Sequence, residues 1–498
     1  MHRAVAATVV LAAVAVAVPL TSASSSAASP YKGANTAAVQ DDFNGDGYRD
    51  LAVGAPSAAN GAVDEAGAVV VLYGSASSVT ATRRTVVTQA TAGVPGDPED
   101  EDDFGRSVAS ADLDRDGYAD LIVGAPREAV GSKELRGTVT VVWGGPSGLK
   151  GGSTVSPPAG YGEGRTYCGF GKALATGDLN GDGAPELSVG SGCDAATYTG
   201  PFTRAGKATH AVDDMNLGGA RGVVVGDVNG DGRAEQFWLP GPTDLDLRGP
   251  VLFYPGMATD NPLPSLPKPV ELPLADGHAG AIGDVNGDGF GDLVTGISYD
   301  DSMSGGPAGW AHRGGEIQVL YGSAKGITAD QKPVVYQQDT AGVPGAAENG
   351  DMFGQSIAIG NVDGDKYADV LVGAPGEAVG THKMAGTAVL LRGSAAGLTT
   401  AKAAGYTQDT AGVPGAVETG DQFGAAVHLA DLNKDGKAET VVGAPTENSD
   451  GCVWVARGSA SGPVPNGSAN ICGRSAGITV HDVKGYFGGV FTSPHVEL

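Results

Sequence analysis

From Asp42 onward the chain alternates short apolar runs with tight polar loops, in an order that keeps returning. In "FGRSVASADLDRDGYADLIVGAP" one β-branched or small-residue run precedes the polar loop, and a second follows it and stops at Gly-Ala-Pro. Such runs, bounded by Gly, Asp and Pro, read as short strands. "FGQSIAIGN" and "FGAAVHLAD" repeat the first strand, and "DLAVGAP", "DVLVGAP" and "ETVVGAP" repeat the second. The polar loop therefore joins two antiparallel strands. A third strand follows in "GAVVVLYG", "GTVTVVWGG", "GEIQVLYG", "GTAVLLRG" and "GCVWVARG", and the fuller copies add a fourth segment such as "YQQDTAGVPGAAENGDMFG". The loops recur about every 65 residues, which is the signature of a stacked array. The prediction is an all-β, seven-bladed β-propeller of four-stranded antiparallel blades, a closed ring that hides its sheet edges.

The loops carry the candidate chemistry. Oxygen-bearing residues stand at positions 1, 3, 5 and 9, usually with Gly at position 6, and a backbone carbonyl is expected to contribute from position 7. The first copy is Asp42, Asn44, Asp46, Tyr48 and Asp50, and the second is Asp112, Asp114, Asp116, Tyr118 and Asp120. The third is Asp178, Asn180, Asp182, Ala184 and Glu186, and the fourth Asp227, Asn229, Asp231, Arg233 and Glu235. The fifth is Asp284, Asn286, Asp288, Phe290 and Asp292. The sixth is Asn361, Asp363, Asp365, Tyr367 and Asp369, and the seventh Asp431, Asn433, Asp435, Lys437 and Glu439. Hard oxygens converging at this spacing suit Ca²⁺, with its 6 to 8 oxygen ligands, and up to seven ions are expected. Without a cation the clustered carboxylates repel one another. An Asx-rich turn without metal is the plainer alternative. An EF-hand is excluded because position 12 is apolar (Val53, Val123, Val189) and strands, not helices, flank the loop. The sixth copy is the weakest, with Asn361 at position 1 and Lys366 in the Gly place.

"MHRAVAATVVLAAVAVAVPLTSASSSAAS" has a basic start, an apolar run and small residues suited to cleavage, so residues 1–28 read as a secretory signal and 29–498 as the propeller. The expected place is secreted, extracellular, with no membrane insertion. The formal charge of −26 argues against nucleic acid as a partner and favours cations. In an exported chain the four cysteines suggest two local disulfides, Cys168–Cys193 and Cys452–Cys472, among three possible connectivities.

The ordered Phe-Gly, acidic loop and Gly-Ala-Pro resemble FG-GAP repeats, the units of the integrin α-subunit head. The resemblance implies a seven-bladed propeller with Ca²⁺ in hairpins between the first and second strands, and its Gly-rich style looks like secreted bacterial members. Units three to five are degraded: unit three ends in "VGSG" and unit four reads "AEQFWLPG". An extra "YFGGVFTS" near the C-terminus competes with, or adds to, the "NTAAVQ" strand in closing the ring.

Function is expected to be that of a binding or adhesion module with mainly structural calcium, monomeric, taking an unknown protein or glycan ligand. A secreted hydrolase, or the accessory propeller of one, is the alternative, and a sugar-binding lectin the next. The third-strand aromatics Tyr73, Trp143, Tyr321 and Trp454 read as packing residues before they read as sugar platforms. No HExxH, P-loop or kinase signature appears, and "GRSAG" around Ser475 is at chance level, so the chain is expected not to be an enzyme. The acidic loops "GVPGDPEDEDDFG", "GVPGAAENGDMFG" and "GVPGAVETGDQFG", with Lys133, Arg136, His382 and Lys383 nearby, are the expected docking face opposite the metal hairpins.

Overall fold

The computed structural model describes residues 38–492, apart from 132–134, 163–164, 166, 215–221, 241–249, 258–265, 300–312 and 482–484. The expected signal, the first residues of "NTAAVQ" and Lys133 lie outside the described residues. Seven four-stranded antiparallel sheets form the chain, as the repeat predicts. Blade 2 shows the plan: Ser107–Ala111, Asp120–Ala125, Thr138–Val142 and Ser153–Val155 pair in that order from the axis outward. The second strand is buried along its whole length because a neighbouring blade covers each face, which is why it reads as a continuous apolar run. Inner strands touch from blade to blade all the way round, so the ring is closed.

The Phe-Gly and Gly-Ala-Pro elements are two halves of one inter-blade contact. A Cβ placed on Gly124 would lie 2.1 Å from the Gly171 carbonyl oxygen, and one on Gly443 would lie 1.8 Å from that of Gly488. Only glycine admits this approach, so the Phe-Gly of one blade seats on the Gly-Ala-Pro of the blade before it. Phe104, Phe170, Phe353, Phe423 and Phe487 are buried at these seats. Each contributes about 1.5–3 kcal/mol of apolar burial.

Ring closure uses both ends of the chain within one strand position. Val490–Phe491 pairs with Gly54 and Val53 as the upper part of blade 1's inner strand. Phe487 and Gly488 take the Phe-Gly place, and the Gly488 N–H donates to the Gly54 carbonyl at 3.3 Å. Below them the N-terminal stretch takes over, and the Asp50 N–H donates to the Asp41 carbonyl at 2.8 Å. The two candidate closing segments therefore add to each other.

Units three to five, degraded in sequence, still make complete four-stranded blades. Both expected disulfides are present. Cys168–Cys193 ties the entry loop of blade 3 to its far hairpin, and Cys452–Cys472 bridges directly paired residues of blade 7's outer strands.

Candidate metal centres and functional site

Each acidic loop hangs between the first and second strands of its blade, at the ends away from the Phe-Gly seats. In six of the seven loops the position 1 aspartate accepts the position 6 Gly N–H through Oδ2 at 2.7–2.9 Å. The position 5 aspartate accepts the position 7 N–H, as from Tyr48 to Asp46 at 3.0 Å and from Tyr118 to Asp116 at 3.1 Å. Gly117 at φ +93° shows why position 6 is glycine: the space there is open, but the left-handed backbone penalises a Cβ.

The residues of loop two fit a divalent cation. Asp112, Asp114 and Asp116 each present a carboxylate oxygen within 4.8 Å of the others. Asp114 Oδ1 is buried and has no hydrogen-bond partner, an orphan that a cation would satisfy. From outside, the half-exposed Arg204 pairs with Asp114 and Asp116, so the loop's negative charge already draws a cationic side chain.

Position 9 has a second task. It is almost wholly buried in every loop, and one oxygen accepts the position 2 N–H: Phe43 to Asp50 at 3.0 Å, Leu113 to Asp120 at 2.9 Å, Leu432 to Glu439 at 2.8 Å. The other oxygen of Asp50 and of Asp120 accepts the N–H of the Gly that ends the third strand, Gly74 or Gly144, at 2.9 Å. Where position 9 is Glu, the longer side chain also takes the position 3 amide, as with Asn180 to Glu186 at 3.1 Å and Asn229 to Glu235 at 2.6 Å. Burial pushes these carboxyls up, Asp50, Asp120, Glu186 and Glu235 to about 8, and Asp292 and Glu439 to about 7.

Loop six differs in kind. Asn361 replaces the position 1 carboxylate, and its amide nitrogen donates to the Asp365 carbonyl. The buried Arg392 guanidinium lies 2.9 Å from Asp369 Oδ2 and 3.3 Å from Asp363 Oδ2, the position 9 and position 3 carboxylates. Burial raises Asp369 to about 6, less far than its counterparts, because Arg392 favours the charged form. A built-in cation stands in this loop. The expectation that Asn361, Asp363, Asp365, Tyr367 and Asp369 form a seventh calcium site does not fit the side chains present.

Trp143 and Trp454 are buried, and Tyr73 is half-buried with its hydroxyl on Thr85 Oγ1 at 2.8 Å. Tyr321 is half-buried too, and its hydroxyl accepts the Leu398 N–H at 3.0 Å. All four sit in packing roles. Trp454 is out of register with the other three: Arg392 and Arg457 take the aromatic place in blades 6 and 7. Ser475 lies in a turn, its hydroxyl donating to the Cys472 carbonyl at 2.7 Å. Arg136, expected on an open docking face, is buried against the Tyr161 and Gly162 carbonyls, where it holds the loop around Cys168.

A contact between blades went unread in the sequence. Gln89 donates to Glu128, Gln338 to Glu377 at 2.5 Å, and Gln408 to Glu447 at 2.8 Å, each glutamine reaching the following blade. The signal was present: Gln precedes "ATAGVPG" or "DTAGVPG", and Glu stands two residues after Gly-Ala-Pro in "GAPREAVG", "GAPGEAVG" and "GAPTENS".

Fold and loops together define an integrin-α-like seven-bladed propeller carrying FG-GAP repeats. The FG-GAP repeat model matches residues 34–72, 104–142, 353–391 and 423–456, which fall in blades 1, 2, 6 and 7. The chain is 36% identical over 180 residues to "Phosphatidylinositol-glycan-specific phospholipase D" of Bos taurus, covering 35% of this chain and 21% of that protein. It is 34% identical over 185 residues to the Homo sapiens protein of the same name, covering 34% of this chain and 21% of the other. Integrin alpha-5 of Xenopus laevis is 33% identical over 156 residues, 30% of this chain and 14% of the integrin. The chain thus spans about a fifth of the length of the phospholipases it matches. The expectation that it is not an enzyme falls with this likeness, which returns catalytic activity to the open functions. Among the described residues, no helix is long and apolar enough to cross a membrane.

Proposed function

We propose that this chain is the propeller of an extracellular hydrolase system whose substrates are of the phosphatidylinositol-glycan kind. The observation that carries this reading is the 36% identity over 180 residues to a phosphatidylinositol-glycan-specific phospholipase D. On this reading residues 1–28 are the export signal, 29–498 form the propeller, and calcium in six hairpins has a structural role. Bound calcium would supply the positive charge that neutralises the loop carboxylates. Asp42, Asp112, Asp178, Asp227, Asp284 and Asp431 would hold it, together with the residues at positions 3 and 5 of the same loops. The position 9 carboxylates lock the loop base to the third strand. The test is to supply the purified, calcium-loaded chain with a phosphatidylinositol-glycan, alone and mixed with a separate catalytic chain of that phospholipase type, and to measure phosphatidic acid release. Turnover by the chain, or a several-fold stimulation of its companion, supports the reading, and no effect in either arm overturns it. Adhesion remains a second reading, favoured by the integrin α likenesses. A chelator-sensitive protein partner recovered from the extracellular milieu would support it.

A further inference from the structure

At the axis, on the face of the Phe-Gly seats, all seven inner strands begin around one cavity of about 340 Å³. Its rim is set by the register of the repeat: the residue after each seat glycine points the way in. These residues are Arg106 in blade 2, Lys172 in blade 3, His278 in blade 5 and Gln355 in blade 6, with the small Ala425 and Gly489 in blades 7 and 1. The chain has 57 acidic residues against 31 basic ones, yet no Asp or Glu lines this cavity among the described residues. The floor is apolar, with Val108, Leu174, Val224, Ile357 and Phe491. The Ser107 and Ser356 hydroxyls are already committed to the Gly171 and Gly424 carbonyls. Apart from Thr492, polar recognition therefore falls to the rim.

We propose that this axial mouth binds the phosphate group of a small phosphate ester, with the organic part resting on the apolar floor. Arg106 and Lys172 are exposed, and the Arg106 guanidinium has no hydrogen-bond partner among the described residues, although Asp103 feels its charge. Guanidinium and ammonium groups on adjacent blades around a low-dielectric wall make a site for an oxyanion, because such walls focus the local field even where the whole molecule is negative. Half-buried His278, linked through Ser298 Oγ (3.3 Å) to Gln355 Oε1 (2.7 Å from Ser298), gives the far rim a fixed polar edge. The site stands whether or not the hydrolase reading holds, since its readout is binding and not turnover.

The experiment titrates the full, calcium-loaded chain with glycerol 2-phosphate by calorimetry. A parallel arm measures co-sedimentation with phosphatidylcholine vesicles with and without phosphatidylinositol. Arg106→Gln combined with Lys172→Gln is expected to weaken binding at least about tenfold, with an unchanged melting temperature, and Lys325→Gln to leave it as it was. Binding of the free ester assigns a soluble ligand, and binding confined to phosphatidylinositol vesicles assigns a lipid headgroup; either supports the site. Equal binding by the double variant, or no binding in both arms, overturns it.

Discussion

Loop two and loop six descend from one repeat and solve the same problem differently. Both bring side-chain oxygens together at the base of a hairpin, and both bury the position 9 carboxylate. Loop two leaves three carboxylates within 4.8 Å and one buried oxygen without a partner, so its charge is settled only by something from outside. Loop six drops one carboxylate to Asn361 and brings in Arg392 from the end of its own third strand, 7% exposed, to face the other two. The lesson is that a cation-shaped hole can be filled by a side chain, and that the substitution which fills it lies outside the loop. The register of the third strand does not by itself reveal it: where blades 1, 2 and 5 end in Tyr73, Trp143 and Tyr321, blade 6 ends in Arg392 and blade 7 in Arg457, and of the two arginines Arg392 is buried while Arg457 is exposed.

Removing metal should separate the two designs most widely. With calcium in six loops, as proposed, the folded chain would gain stability by mass action, each site adding a few kcal/mol when calcium is well above its dissociation constant. Excess EGTA is therefore expected to lower the melting temperature by about 10 °C or more. Elemental analysis of the dialysed protein should count six ions, and Asp112→Asn should lower that count by one while Asp363→Asn leaves it alone. A count near zero with an unmoved melting curve would remove the case for calcium; a count of seven would erase the distinction between the loops.

The next effect belongs to the arginine. Arg392→Met strands Asp363 and Asp369 against each other in a buried site, and losing one partner of a buried ion pair costs about 3–5 kcal/mol. Arg204→Gln in loop two, by contrast, removes a side chain that is 50% exposed, and should cost under about 1 kcal/mol in calcium. Denaturant unfolding of both variants, with and without calcium, measures the difference. If Arg392→Met regains its stability in calcium and binds a seventh ion, loop six is a metal site that the arginine merely guards.

Much of this was legible. The strands, the seven acidic loops and both disulfides follow from local spacing, because each is fixed by residues within one repeat. What was missed depends on contacts across repeats. The split inner strand of blade 1 joins Val490–Phe491 to the stretch before Asp42: both pieces are candidate closing strands in the sequence, but that they share one strand position shows only once the ring is closed. The basic axial rim appears only when Arg106, Lys172 and His278, one per blade, are brought round the axis. The glutamine–glutamate contacts show the same thing: Gln408 and Glu447 lie 39 residues apart and meet only between blades.

Those contacts offer a third way to bury a carboxylate, with a neutral amide in place of metal or arginine, and they carry the smallest expected effect. Burial pushes Glu447 up to about 7, and Asp421, Glu418 and the hydrogen bond shared with Asp421 push the same way, while Gln408 opposes them. Asp421 is itself raised by burial and feels His382 from the blade 6 loop, and Asn448 donates to Glu447 Oε1 at 2.7 Å. A carboxyl whose folded value lies above its unfolded 4.5 contributes fully below that pH and loses its contribution as pH rises through about 7. Glu447→Gln keeps an acceptor for Gln408 and removes the titration. The variant should therefore melt about 1 °C above the parent at pH 8 and no higher than the parent at pH 5. Comparing the two proteins at each pH cancels whatever the calcium loops themselves contribute. A difference that stays constant from pH 5 to pH 8 would show that Glu447 is already charged in the fold, so that the amide alone suffices to hold a buried carboxylate beside Asp421.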